Sequence, residues 1–159
     1  MAIPGFDGCE PKLQHLLDLH VDLEAPQIIG QTPCGMRQIF IVKAGSFEGP
    51  KIKGTLLPGG GDWATARPDG AVQLDVRGTL KTDDGALLYV YYGGIIGDAM
   101  KVAGRVFAGE EVPLSDYYFY TNPMFQTAAQ QYDWLNRTVC LGRGRVVPGG
   151  VEYRVWAVS

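Results

Sequence analysis

Between residues 71 and 82 apolar side chains fall at alternate positions, Val72, Leu74, Val76 and Leu80, with Gln73, Asp75, Arg77 and Thr79 on the opposite face. A period of two marks a strand with one face against a core. Pro68-Asp69-Gly70 and Asp83-Asp84-Gly85 bracket the run. In such triplets Pro presets φ and Gly accepts a positive one, so both are turns. Residues 86–92 return as an aromatic-rich strand, which makes the pair a hairpin. Similar punctuation runs the length of the chain: 22 Gly and 10 Pro in 159 residues, against about 12% combined in average proteins. Long helices cannot absorb that many breakers.

The same reasoning predicts a strand over 17–23, where Leu17, Leu19, Val21 and Leu23 alternate with Asp18, His20 and Asp22. Pro26 ends it and residues 30–35 supply a turn. Strands follow over 36–42 and 52–57, separated by a short loop between residues 44–45 and 48–50, and Pro58-Gly59-Gly60-Gly61 breaks the latter. Further strands are expected over 101–107, 117–121, 138–145 and 151–158, the last two joined across Pro148-Gly149-Gly150. Ala128, Ala129, Gln130 and Gln131 are good helix formers and predict one short helix over 124–135. The fold class is therefore all-β: a closed antiparallel up-and-down β-barrel of about 8–10 strands, a form that abolishes exposed edges. A composition of 46% hydrophobic and 19% charged residues suits one folded domain over residues 1–159, with 1–12 as an N-terminal extension. A barrel of about eight strands can enclose one small ligand.

The bulk numbers exclude several functions. Net charge is −3, and the 14 basic residues are scattered singly, which gives no support to nucleic-acid binding. No apolar run approaches the roughly 20 residues of a membrane helix, and residues 1–20 lack the pattern of a signal peptide. A cytoplasmic protein is expected. Cys9, Cys34 and Cys140 show no C-x-x-C spacing and read as free thiols rather than a disulfide or zinc framework. His15 and His20 face opposite ways on one strand, so they form no local metal pair. None of the three serines lies in G-x-S-x-G. Neither a metal nor a cofactor is expected.

The candidates that remain are polar residues at barrel positions. Gly59-Gly60-Gly61 lets the chain bend sharply at a barrel mouth and deliver Asp62 and Trp63 to a lumen. No helix start or Lys-Ser/Thr follows, so this is not a phosphate loop. Asp75 and Arg77 share a strand face with Gln73 and form a charge pair, buried if that face points inward and an ordinary solvated pair if it points outward. Tyr89 and Tyr91 share a face of the neighbouring strand, opposite Leu88, Val90 and Tyr92, and hairpin pairing sets them near Arg77 and Thr79.

Gly45-Ser46-Phe47-Glu48-Gly49-Pro50, Gly59-Gly60-Gly61-Asp62-Trp63, Asp69-Gly70 with Leu74-Asp75-Val76-Arg77, Thr82-Asp83-Asp84-Gly85, and Tyr132-Asp133-Trp134-Leu135-Asn136 occur in that order. In these motifs the chain resembles the domain-of-unknown-function family 3237, also called uncharacterised protein family 0311, from about residue 17 to 158. One departure is Ala44-Gly45, where the family pattern has a Gly–Gly pair. The resemblance implies a small, calycin-like closed barrel. Arg37, Asp62, Trp63, Arg77, Trp134 and Asn136 keep family motif positions, which implies a lumen for Asp62 and Arg77 but no chemistry.

Together these readings predict an enzyme that moves protons on a small, partly apolar molecule inside the barrel, by isomerisation, cyclisation, or addition and elimination of water. Asp62 is the expected general acid or base and Tyr89 or Tyr91 the proton donor. Arg37 and Arg77 would pair electrostatically with a carbonyl, enolate or carboxylate, and Trp63 and Trp134 would be apolar walls. Asp75 and Asn136 complete the expected binding set. Two alternatives use the same residues, a non-catalytic ligand-binding barrel and a lactone or ester hydrolase. Open barrel faces or the segment 117–120 could support a homodimer.

Overall fold

A computed structural model describes residue 5 and residues 8–159. Of the expected N-terminal extension, residues 1–4, 6 and 7 lie outside the described residues. The chain runs β1 (Leu13–Leu23), β2 (Gln27–Thr32), β3 (Gly35–Glu48), β4 (Lys53–Leu56), β5 (Gly61–Ala66), β6 (Val72–Thr82), β7 (Leu87–Ile96) and helix α1 (Ala99–Phe107). It continues with β8 (Phe119–Thr121), β9 (Met124–Gln126), a 3-10 helix (Gln130–Arg137), β10 (Cys140–Val147) and β11 (Gly150–Val158).

Eight strands close a ring in sequence order, β1, β3, β5, β6, β7, β8, β10 and β11, every pairing antiparallel, and β11 returns to β1. This is the closed up-and-down barrel. The remaining three strands extend its wall: β2 on β3, β4 between β3 and β6, and β9 on β7. Closure is long-range, Leu13 opposite Val158. Beyond it Lys12 and Ser159 exchange two backbone hydrogen bonds of 2.8 and 2.9 Å.

Two walls consist of broken strands, and both breaks lie at proline. β1 stops pairing with β3 at Leu23 opposite Val42, and after Pro26 β2 takes up the same edge from Ile39 onward. β4 and β5 likewise share one edge of β3 on either side of Pro58-Gly59-Gly60. A Cβ on Gly60 would lie 2.5 Å from the Arg77 carbonyl oxygen, so the break admits only glycine at closest approach.

Three expectations are corrected. Residues 101–107 are not a strand; they lie in α1, because Ala99, Val102 and Val106 bury one helical face. Residues 124–135 are not an α-helix. Asn136 accepts from Thr127 N–H at 2.8 Å and donates to Thr127 C=O at 2.9 Å, and Ala129 stays extended, so tertiary ties override helix propensity. The loop expected around Ala44-Gly45 is continuous strand, since β3 runs unbroken from Gly35 to Glu48. Among the described residues no helix is long and apolar enough to cross a membrane.

The barrel is filled at one end. Leu17, Leu80, Leu88, Phe125 and Cys140 pack there with Leu135 of the 3-10 helix, all of them buried. Phe119 reaches across to β10, where a Cβ on Gly144 would lie 2.6 Å from its ring. Phe119 is fully buried, so its ring must shift to admit the added methyl. Gly144→Ala is therefore expected to cost about 1–3 kcal/mol by overpacking, lowering the melting temperature by about 3–9 °C. Gly104→Ala, in open space on α1, should instead stabilise by about 0.5–1 kcal/mol. Thermal unfolding followed by circular dichroism checks both signs, and an unchanged melting point for Gly144→Ala refutes the packing argument.

Candidate functional site

Above the filled end the barrel is hollow, with a cavity of about 570 Å³, within the range typical of small-molecule sites. Its walls are apolar: Val21, Phe40, Val42, Leu56, Leu74, Val76, Val90 and Phe119 among others. The mouth is formed by the segment from Glu24 to Pro26, by Met100, Ala103 and Phe107 of α1, and by the β10–β11 turn. Met100 and Phe107 are 67% and 81% exposed, so the helix presents apolar side chains to solvent at the rim.

Alternation along β5 turns Asp62, Ala64 and Ala66 into this cavity and Trp63 and Thr65 away from it. Asp62 interrupts the strand ladder. β5 and β6 pair at Asp62 opposite Val76 and again at Thr65 opposite Gln73, and between them the Asp75 N–H donates to Asp62 Oδ1 at 2.9 Å. Among the described residues Oδ2 accepts no hydrogen bond. Burial pushes the Asp62 carboxyl up to about 6; the Asp75 N–H lowers it, the Asp75 charge raises it, and the Arg37 charge lowers it.

Two phenols share the cavity. Tyr92 of β7 and Tyr153 of β11 meet edge to face with ring centroids 5.6 Å apart, and Tyr153 packs on Phe119 at 5.4 Å. Burial raises the pKa of Tyr92, a hydrogen bond from Tyr153 partly offsets this, and the Asp62 charge raises it again. Tyr153 is raised by burial, by Tyr92 and by Asp62. Both hydroxyls therefore stay protonated at neutral pH; Tyr153 donates to Tyr92, which leaves Tyr92 as the donor the pair offers to a ligand.

The other expected residues lie elsewhere. Asp75 and Arg77 pair at 2.8 Å on the outer face, each about half exposed, and the guanidinium stands 5.8 Å over Trp63. Arg37 donates to the Trp63 carbonyl. Tyr89 and Tyr91 stack at 5.4 Å on the outer wall, opposite Thr79 and Arg77 in the register the hairpin implies. Trp134 and Asn136 belong to the 3-10 helix at the filled end, with Lys51 5.8 Å over the indole. Of the expected set, only Asp62 has its side chain in the cavity. Tyr92 and Tyr153 are the residues that the sequence reading missed. The signal for Tyr92 was its place on the Leu88 and Val90 face, while nothing in the sequence marks Tyr153 apart from its strand. Among the described residues no three His, Cys, Asp or Glu side chains gather as metal ligands.

Burying Asp62 has a stability cost with a definite sign. The unfolded chain ionises it near 3.8 and the folded one near 6. Between those values the folded state holds the extra proton, so stability falls as pH rises from about 4 to 6, by up to about 3 kcal/mol. Asp62→Asn keeps an oxygen for the Asp75 N–H and removes the charge. Its melting temperature should exceed that of the parent protein by about 6 °C at pH 7.5, with a much smaller gap at pH 4.5. Equal gaps at both pH values would show that Asp62 is not desolvated.

The family model described as protein of unknown function (DUF3237) matches residues 11–158. A UPF0311 protein of Clostridium acetobutylicum is 30% identical over 151 residues, covering 94% of this chain and 96% of the relative. The crystal structure of a conserved protein of unknown function from Rhodopseudomonas palustris superposes with a TM-score of 0.85 at 27% identity, covering 94% and 98% of the two chains. A hydroalkoxylation enzyme of Penicillium herquei is 23% identical over 138 residues, covering 87% of this chain and 77% of the enzyme. Matched over nearly its whole length by the family model, this chain belongs to the DUF3237 family.

Proposed function

We propose that the cavity is the active site of an acid–base enzyme that moves protons on a small, partly apolar organic molecule, and that Asp62 is its proton shuttle. The observation that carries this reading is one carboxyl group in an apolar cavity, its pKa pushed up to about 6 by burial, with one oxygen held by a backbone N–H and the other accepting none among the described residues. A group poised near the working pH serves equally as base and acid. Tyr92, whose hydroxyl accepts from Tyr153, takes the role of hydrogen-bond donor to a developing oxyanion, in place of the outward-facing Tyr89 and Tyr91.

The likeness to a hydroalkoxylation enzyme supports one reaction in particular, addition of a substrate hydroxyl across its own C=C bond. In an activated, carbonyl-conjugated substrate Asp62 accepts the hydroxyl proton as the oxygen attacks the β-carbon. The C–O bond forms, the π electrons move to the carbonyl oxygen, and a tyrosine hydroxyl hydrogen-bonds the resulting enolate. Asp62 then returns the proton to the α-carbon. Atoms balance, the carboxylate is regenerated, and the product is a cyclic isomer. The reverse sequence is an elimination.

A panel of hydroxylated enones, followed by loss of conjugated absorbance and by chromatographic shift, provides the test. Asp62→Asn is expected to lower kcat/KM by about 10²–10⁴-fold, whereas Tyr91→Phe on the outer wall stays within about twofold. With Asp62 acting first as base, kcat/KM rises with pH through about 6. Undiminished turnover in Asp62→Asn overturns the assignment, and saturable binding without turnover across the panel makes the barrel a carrier.

A further inference from the structure

We infer that the cavity selects its ligand by charge: it takes neutral or cationic molecules that offer a hydrogen-bond donor to Asp62, and rejects organic anions. This deepens the reading above and rests on the cavity being the binding site, though not on its being catalytic.

Among the described residues the ionisable side chains of the cavity are Asp62, Tyr92 and Tyr153 within and Glu24 at the mouth, and Arg77 borders it with its side chain turned to the outer face. Among the described residues no lysine or histidine lines it. Arg77 is committed elsewhere: it pairs with Asp75 on the outer face and lies over the Trp63 ring. Arg37, whose charge is felt by Asp62, donates to the Trp63 carbonyl. A ligand carboxylate or phosphate entering the barrel therefore loses its water and meets no cation. It meets instead a carboxylate whose field is weakly screened between apolar walls, and it passes Glu24 on the way.

A hydroxyl or ammonium group meets the opposite situation. Oδ2 of Asp62 accepts no hydrogen bond among the described residues, so a donor on the ligand fills a vacant position. The Tyr92 hydroxyl, which accepts from Tyr153, is available to donate to an acceptor such as a carbonyl or ether oxygen. The polar complement of the cavity is thus a donor for Asp62 and an acceptor for Tyr92, with the Gln38 amide able to serve either role, on an otherwise apolar body. Phe40, Phe119, Tyr92 and Tyr153 in the walls suit a body carrying a ring.

Matched probes that share one ring system test the inference: 2-naphthol, 2-naphthoate and 2-naphthylmethylammonium, titrated calorimetrically at pH 7.5. In the parent protein the naphthol and the ammonium should each bind at least about tenfold tighter than the naphthoate. In Asp62→Asn the naphthoate deficit should shrink to within about threefold. The ranking in the parent protein is decisive even if the variant fails to fold. Naphthoate binding as tightly as naphthol overturns the inference, as does binding of none of the three probes. So does a deficit that survives intact in folded Asp62→Asn. Turnover plays no part in these titrations. A selective cavity that converts nothing overturns the acid–base reading alone, and an active enzyme that prefers carboxylates overturns the charge selection alone.

Discussion

Everything in this molecule depends on the pairing of its first strand with its last. Leu13 lies opposite Val158 and Lys12 opposite Ser159, so the ladder that closes the barrel joins residues separated by almost the full chain. Without it β1 and β11 would be open edges on a sheet whose apolar face had nothing to cover it. With it, the inward residues of every strand share one interior, and the filled end and the hollow end become parts of one enclosure. Non-local closure of this kind is also the slow step expected of a β-barrel, because its loop entropy is lost before its contacts form. Leu17, Leu80, Leu88 and Leu135 at the filled end offset that loss by burial.

How much of this can be read from the sequence follows from how local each cause is. Alternation is local, so β6 and β7 are legible from Val72, Leu74, Val76 and the Asp83-Asp84-Gly85 turn, while the register that sets Arg77 opposite Tyr91 comes from the structure. The same alternation already assigns Tyr92 to the face opposite Tyr89 and Tyr91. The assignment becomes informative only once the barrel shows which face is inside. β2 and β5 are not legible, because each is the continuation of a strand across a proline break, and what makes it a strand is an edge of β3 supplied from elsewhere in the chain. Helix α1 hides for a related reason. Lys101, Val102, Arg105, Val106 and Phe107 satisfy a strand reading as well as a helical one, and the barrel mouth that buries Val102 and Val106 decides between them.

Polarity alone misdirects the search for a site in a barrel like this one. Asp75, Arg77, Tyr89 and Tyr91 form a polar group on adjoining strands, and they stand together on the outer wall, where water solvates them. A buried site in an apolar barrel shows the opposite pattern: single polar residues on otherwise apolar faces. Tyr92 follows Leu88 and Val90, Tyr153 precedes Val155, and Asp62 precedes Ala64 on the inward face. Isolation on an apolar face is the property that perturbs an ionisable group, since nothing nearby replaces the water it has lost.

The break in the β4–β5 wall and the position of Asp62 are one structural event. Gly60 lets the chain come within a distance of the Arg77 carbonyl that no side chain permits, and β5 begins one residue later. One residue beyond that, the Asp62 carboxylate takes a backbone N–H that the neighbouring strand would otherwise satisfy. The carboxylate is therefore anchored by the sheet rather than by a cation, which holds it in place without neutralising it. An arginine in that role would pin its pKa low and leave a spectator ion pair. A backbone amide only partly offsets burial, so Asp62 stays close to the point where it can both take and return a proton.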